Sequence, residues 1–379
     1  MIWPEKNLGE ICEFIRGPFG GSLKKEIFIK EGFAVYEQQH AIYNQFNSVR
    51  YFIDSAKFNE LKRFELCCGD LIMSCSGTFG KVAVAPLSLK RGIINQALLK
   101  ITPSKKIDVN YLKHFMESNS FQSMLMNETH GAAIKNVASV AVLKKIKIPF
   151  PPLAEQQRIA DLLDTASFTL KLRELAIAKL DQLAQSVFVD MFSNCTNFES
   201  MKSVVLKKKI SQPHVNQHVW SLSLDQIESD TGNLQNKVMV EFKKLGSSTY
   251  FFEPPVILYS KLRPYLNKVF MPTDCGYATT ELVPLYCNDK KVLPIYLLAV
   301  LRSKKFVEFA NTNSGGAKMP RVIMDKFWDY EFAVPSIQQQ QKYANFYMSI
   351  LNQKRHCLNA YTLNQALLSS LQHQSFAVN

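Results

Sequence analysis

Two long stretches of this chain contain neither proline nor glycine: residues 153–212, which follow Pro151 and Pro152, and residues 336–379, which follow Pro335. A run that long without the strongest helix breakers is expected to be helical. Counting from Ile159 in alternating steps of four and three reaches Leu163, Ala166, Leu170, Arg173, Ile177, Leu180, Ala184, Val187 and Met191. Nine of these ten positions are apolar, the spacing of a coiled-coil seam. Adding 184 to each number gives Tyr343, Tyr347, Ile350, Lys354, Cys357, Tyr361, Asn364, Leu368, Leu371 and Ser375, of which seven are apolar. Two such stripes in one chain are most economically buried against each other. The alternative is that each helix packs on its own globule.

The repetition is not confined to the seam. FPPLAEQQRIADLL at 150–163 has a second copy in VPSIQQQQKYANFY at 334–347. Upstream, YLKHFMESNSF (111–121) matches YLLAVLRSKKF (296–306) in its Tyr, Leu, Ser and Phe. KVAVAP (81–86) echoes KVFMP (268–272), and HGAAIKN (130–136) echoes SGGAKMP (314–320). The order is the same in both halves, so the chain reads as a tandem duplication.

Within each half, GDLIMSC (69–75), KVAVA (81–85), QALLKI (96–101), PVILYS (255–260) and KVFM (268–271) have the composition of strands, whereas 109–127 and 294–311 read as helices. KKIKIPF (144–150) and YEFAV (330–334) are strand-like runs that lead through proline into the long helices. The expectation is an α+β chain of four parts: a globule over 1–150, a helix over 151–192, a second globule over 193–334 and a second helix over 335–379. The two helices are expected to pack antiparallel as a coiled coil.

The 47% hydrophobic content argues for globules rather than disorder, and the net charge of +13 favours an anionic partner, nucleic acid first. MIWPEKNLGEICEF lacks the basic and apolar regions of a secretory signal, and no apolar run approaches the roughly 18 residues that span a bilayer. A cytoplasmic protein is expected. The eight cysteines show no C-x-x-C pair and no zinc-like spacing, so they are expected to be reduced thiols, mostly in cores.

Motifs that would make the chain a catalyst are missing. A base-modifying enzyme that flips its target needs a polar lead and an aromatic around paired prolines, and neither FPPL nor EPPV has that set. GPFGG (17–21) lacks dinucleotide-loop spacing, follows no convincing strand and reads as a turn. FGKV (79–82) has Gly-Lys without the hydroxyl that would hold magnesium. His214 and His218 stand four apart but without a metalloprotease glutamate, beside Pro213.

Duplicated globules that each end in a Pro-x-Leu/Ile-x-x-Gln-Gln-Arg/Lys run opening a long helix resemble the DNA-specificity subunit of type I restriction-modification enzymes. PPLAEQQRI (151–159) is close to that family's junction; PSIQQQQKY (335–343) departs from it, with Gln339 where Glu155 stands. LGEICEFIRGPFG near the amino terminus is also similar. The resemblance implies a non-catalytic subunit whose two target recognition domains read the halves of a bipartite, asymmetric site on double-stranded DNA. It implies two modification subunits that carry S-adenosylmethionine and methylate adenine, and a motor subunit that uses ATP and Mg2+ to translocate and cleave. No cofactor or metal is expected in this chain, and no membrane.

Candidate contacts follow from residue chemistry. In SKLRPYLNK (260–268), Lys261, Arg263 and Lys268 can meet phosphate, Asn267 can pair with adenine, Tyr265 can pack on sugar or base, and Ser260 opens the segment. The counterpart SCSGTFGK (74–81) offers Ser76, Thr78 and Lys81. Lys135 and Asn136 in the first half, and Lys318 and Arg321 in the second, follow glycines that allow close backbone approach. Gln38, Gln39 and His40 in EQQH form either a base-reading loop or a buried polar turn, and Arg16, Ser22, Lys24 and Lys25 flank the glycine turn. Glu155, Gln156, Gln157 and Arg158, with Gln339 and Gln340, are candidates for a modification-subunit contact or for packing at the helix starts. Two rival readings remain: a single-chain DNA methyltransferase, and a helical scaffold for protein partners.

Overall fold

The computed structural model describes residues 3–19, 21–127, 139–206, 208, 210–211 and 218–376. They form two compact units, residues 1–173 with 360–379, and residues 174–359. The two breaker-free runs are single helices, Leu153–Phe192 and Ile337–Phe376, of 40 residues each. Each unit therefore holds one globule and a half of both long helices.

In the first unit, four strands pair in the order Cys12–Arg16, Leu98–Pro103, Leu71–Ser74 and Val82–Val84. A second sheet has the order Phe52–Ile53, Phe33–Tyr36, Gly92–Ile94 and Glu65–Leu66, with its middle pair parallel. The central strand Leu71–Ser74 is buried on both faces, which is why LIMS has no polar alternation. Leu71 and Met73 face one core, shared with the helices Val109–Glu117 and Asn119–Asn127 and with the long helices, whereas Ile72 faces a second core between the sheets.

The second unit repeats this wiring. Its first sheet runs Val205–Leu206, Leu282–Cys287, Ile257–Ser260, Val269–Phe270, and its second runs Val238–Glu241, His218–Leu222, Gly276–Thr279, Thr249–Phe252, again with a parallel middle pair. Ile257 and Tyr259 face the helix-side core and Leu258 the inter-sheet core. The strand and helix segments read from sequence in each globule take those forms. The second sheet of each globule was not read from sequence, nor were the first-sheet strands Cys12–Arg16, Val205–Leu206 and Leu282–Cys287. The two-stranded ribbons Glu5–Asn7 with Lys147–Pro149, and Phe198–Ser200 with Glu331–Ala333, deliver the chain to each long helix.

The repeated residues of the upstream motif have structural tasks. Tyr111 donates its hydroxyl to the Pro149 carbonyl at 2.9 Å, and Tyr296 does the same to Ala333 at 2.6 Å. Ser118 accepts from the Phe121 amide and Ser303 from the Phe306 amide, capping the next helix, and both phenylalanines are fully buried.

All twenty seam positions are buried or half-buried. In the second unit Tyr343 lies against Phe188 and Phe192, and Lys354 meets Asp181, so the paired helices run antiparallel. In the first unit Leu368 and Leu371 join the core of Ile159 and Leu163. The helix ends are also matched: Phe192 packs edge-on against Tyr296, and Phe376, at the equivalent position, against Phe115 with Tyr111 beside it. Both alternatives drawn from sequence thus hold together, since the helices bury their stripes on each other and their ends on the globules.

The cysteines depart from expectation. Cys12 and Cys75 are buried, but Cys67, Cys68 and Cys275 are exposed and the other three half-buried. The turn-rich segments that carry the exposed ones leave the thiols outside the sheets. No described helix is long and apolar enough to cross a membrane.

Candidate nucleic-acid interface

The glutamines at the helix starts divide into two kinds. Gln156 is fully buried; its Oε1 accepts from the Asp108 amide at 2.8 Å and its Nε2 donates to the Pro151 carbonyl at 2.9 Å. Gln340 repeats this with the Leu293 amide and the Pro335 carbonyl, both at 2.8 Å. These two side chains are therefore internal locks that satisfy backbone groups at the proline bend, not a surface offered to another subunit. Glu155 forms a two-pronged pair with Arg158 at 2.8 Å, and Gln339 accepts from Ser336 to cap the second helix. Glu155 and its Arg158 partner, Gln157 and Gln339 retain access to solvent.

In the first unit, three separately read segments converge. Cys12–Arg16 ends where the Gly17 amide donates to Leu98, Cys75 donates to Ala97, and Asn95 donates to Tyr36. The residues 95–98 thus tie together the Arg16 turn, the Ser74–Lys81 loop and the segment after Tyr36. A strand does precede GPFGG, contrary to the sequence reading, and a turn from Phe19 to Ser22 follows. Lys24 and Lys25 are exposed beyond that turn, and Ser22 is half-buried.

The Gln38 segment is a short helix, Gln38–Tyr43, rather than a loop. Gln38 donates to the Ser76 carbonyl at 2.5 Å and accepts from the Ser76 hydroxyl at 3.1 Å, which braces the loop. His40 is fully buried: its Nδ1 accepts from the Glu37 amide at 2.8 Å, leaving Nε2 to donate to Ser48 at 3.0 Å. It is a cap and spacer, and base reading by His40 is ruled out by burial. Gln39 is half-buried; Thr78 and Lys81 are exposed.

In the second unit the equivalent loop, Ser260–Lys268, lies beside the hairpin Ser314–Gly315 and Arg321–Val322. The Arg263 amide donates to Pro320 at 2.7 Å, and the Val322 amide to Lys261 at 2.9 Å. Lys261, Arg263, Tyr265, Lys318 and Arg321 are therefore brought to one surface from segments about fifty residues apart. Tyr265 is 51% exposed and Lys318 is exposed. Arg321 pairs with Glu281 at 2.9 Å, so part of its charge is already compensated. Sequence reading missed Glu281, which stands forty positions away and carries no motif.

Three residues of this loop have other tasks. Ser260 is buried and donates to Leu262 at 2.9 Å; Asn267 is buried and donates to Arg302 at 3.3 Å; Lys268 donates to the Leu224 carbonyl at 2.6 Å. Asn267 is thereby withdrawn from adenine pairing. The two loops share their frame: Ser74 and Ser260 each bond the backbone of the lysine that closes the loop. Gly77 and Gly80 adopt left-handed backbone in the first, and Arg263 (φ 51°) and Asn267 (φ 47°) in the second. An arginine in that region is strained. Lys135 and Asn136, with His214, lie outside the described residues. Among the described residues no cluster of His, Cys, Asp or Glu is placed to hold a metal.

A two-sheet globule recurs with its basic and hydroxyl-bearing loop in the same place, each copy joined to a long helix of an antiparallel pair, so the fold is a duplicated one. Residues 2–182, just under half of the chain, match the family described as "Type I restriction modification DNA specificity domain". A Methanocaldococcus jannaschii protein described as a type I restriction enzyme MjaX specificity subunit is 26% identical over 170 residues, 42% of this chain and 38% of that one. The match thus spans under half of that relative's length. The S subunit of a type I restriction-modification system from M. genitalium superposes with a TM-score of 0.58 at 13% identity, over 100% of this chain and 96% of that one. A chain from a type I R-M system studied for "complex assembly and conformational transition" gives 0.59 at 15%, over 98% and 97%. At such identities the likeness is one of fold.

Proposed function

We propose that this chain is the sequence-reading subunit of a type I restriction-modification complex, each globule reading one half of a bipartite, asymmetric target on double-stranded DNA. The observation that carries this reading is the pair of equivalent loops, Ser74–Lys81 and Ser260–Lys268, built on one frame but tipped with different chemistry. One presents Ser76, Thr78 and Lys81; the other presents Lys261, Arg263 and Tyr265, with Lys318 and Arg321 beside them. Two globules with one frame and two surfaces suit two different half-sites. Phosphate contacts from the lysines and arginines position the complex, and groups at the loop tips discriminate bases.

The long helices act as the spacer. Forty residues at 1.5 Å extend about 60 Å, comparable with some 17 base pairs at 3.4 Å each. Two short readings at one separation become one long address, because engagement of the first raises the effective concentration of the second. Exposed groups near the helix starts, Gln157 and Gln339 among them, are offered to two modification subunits. Those subunits supply S-adenosylmethionine-dependent adenine methylation, and a motor subunit supplies cleavage with ATP and Mg2+.

The test is single-molecule sequencing of DNA from cells that make this chain with its modification subunit. A methyladenine motif of two defined ends around an undefined middle is expected, and exchanging residues 1–150 with those of another family member should alter one end alone. A continuous motif, or methylation unaffected by the exchange, would remove the reading.

A further inference from the structure

The loop Ser260–Lys268 is held from two sides. Its early part is bonded to the hairpin through Arg263 and Pro320. Its late part is bonded to Arg302, the last residue of the helix Pro294–Arg302. Arg302 Nη2 donates to the Val269 carbonyl at 2.7 Å, and the Arg302 carbonyl accepts from Asn267 Nδ2 at 3.3 Å. Its other nitrogen, Nη1, donates to the hydroxyl of Tyr347 at 3.1 Å. Tyr347 belongs to the second long helix within the same compact unit. One guanidinium therefore joins the spacer helix to the end of the reading loop.

The surroundings are shaped around that side chain. A Cβ added to Gly232 would stand 2.0 Å from Arg302 Nη2 and 2.1 Å from the Val269 oxygen. The turn carrying Gly232 is itself bonded to the loop, through the Asp230 amide and the Leu266 carbonyl at 3.1 Å. Arg302 Nε is buried without a hydrogen-bond partner, an expensive state for a guanidinium and a poor way simply to end a helix. In the first unit the equivalent position is Glu117, and the late part of the loop is held through Gly80 by Gln122, at 3.0 Å, from the following helix. The two loops are thus positioned by different devices.

We propose that Arg302 is a positioning residue for the second half of the DNA target: by bonding Tyr347 and Val269 together it sets where Arg263 and Tyr265 stand over the bases. This rests on the DNA-reading role above. Arg302 need not touch DNA. A planar fork with separate donors spans two acceptors in fixed geometry, which a lysine cannot reproduce.

The experiment uses the full chain with its modification subunit and reads adenine methylation across genomic DNA by single-molecule sequencing. Tyr347→Phe removes one oxygen and only the helix end of the link; Arg302→Met removes both ends; Arg302→Lys restores a single donor. Both Tyr347→Phe and Arg302→Met should raise methylation about tenfold at sites altered in the half assigned to the second globule. Sites altered in the other half should stay unmethylated, and Arg302→Lys should fall between. Melting of the purified complex is followed alongside. Methylation that drops evenly at every site with the motif unchanged, or a motif that none of the variants alters, would overturn the proposal. A wild-type chain that yields no two-part motif would instead overturn the DNA-reading role itself.

Discussion

Arg263 shows how one residue reveals a competition between folding and function. Its left-handed backbone is the conformation that Gly77 adopts in the first loop, and the side chain's Nε is buried without a partner. Such strain costs on the order of 1 kcal/mol and persists where something else requires the residue. Arg263→Gly should leave stability unchanged or raise it by up to about 1 kcal/mol in urea denaturation. The same change should weaken DNA binding and lower the slope of log K against log salt by about one, as expected for one lost phosphate contact.

His114 offers a second test at this scale. It is buried, with Nε2 donating to Asp164 at 2.8 Å and Glu117 and Lys113 nearby, and burial holds its pKa below the ordinary 6.5 despite the carboxylate. Burial also pushes the Glu117 carboxyl up. A histidine with a depressed folded-state value takes up its proton more readily when unfolded, so stability falls as pH drops below about 6.5. Melting midpoints measured from pH 7.5 to 5.5 should therefore decline less for His114→Gln than for the wild type; parallel declines would contradict this account.

At the scale of elements, the seam of the helix pair includes an ion pair whose two members are unequally solvated. Lys354 is 6% exposed and its Nζ lies 2.8 Å from both oxygens of Asp181, which is itself 42% exposed. Removing the carboxylate strands a buried ammonium, whereas removing the lysine leaves an anion that water can reach. Asp181→Ala should cost about 3 kcal/mol and Lys354→Met much less, by the reasoning for buried pairs. Urea titrations of both variants check the order, and equal losses would count against it. The seam was readable as a period in the sequence. The pairing of Lys354 with a residue 173 positions earlier was not, because it depends on which way the helices run past each other.

At the scale of the whole molecule, the spacer role makes a length prediction. Inserting seven residues in each long helix, at seam positions that face each other, preserves the apolar stripe and adds about 10 Å, equivalent to some three base pairs. The undefined middle of the methylated motif should lengthen by about three bases, with both ends unchanged. An unaltered middle would mean that the helices do not set the distance.

The duplication, the two long helices and the strands Leu71–Ser74, Val82–Val84, Leu98–Pro103, Ile257–Ser260 and Val269–Phe270 were determined by the sequence alone, because proline and glycine placement, seam periodicity and apolar runs act locally. Tertiary structure decided the rest. It turned His40, Gln156, Gln340, Ser260 and Asn267 inward, since buried backbone amides and carbonyls must find partners and these polar side chains are the ones within reach. It also joined the segments around Arg263 and Arg321 into one surface and placed Arg302 between a helix and a loop. Those relations depend on strand pairing between distant segments, which no local pattern of residues encodes.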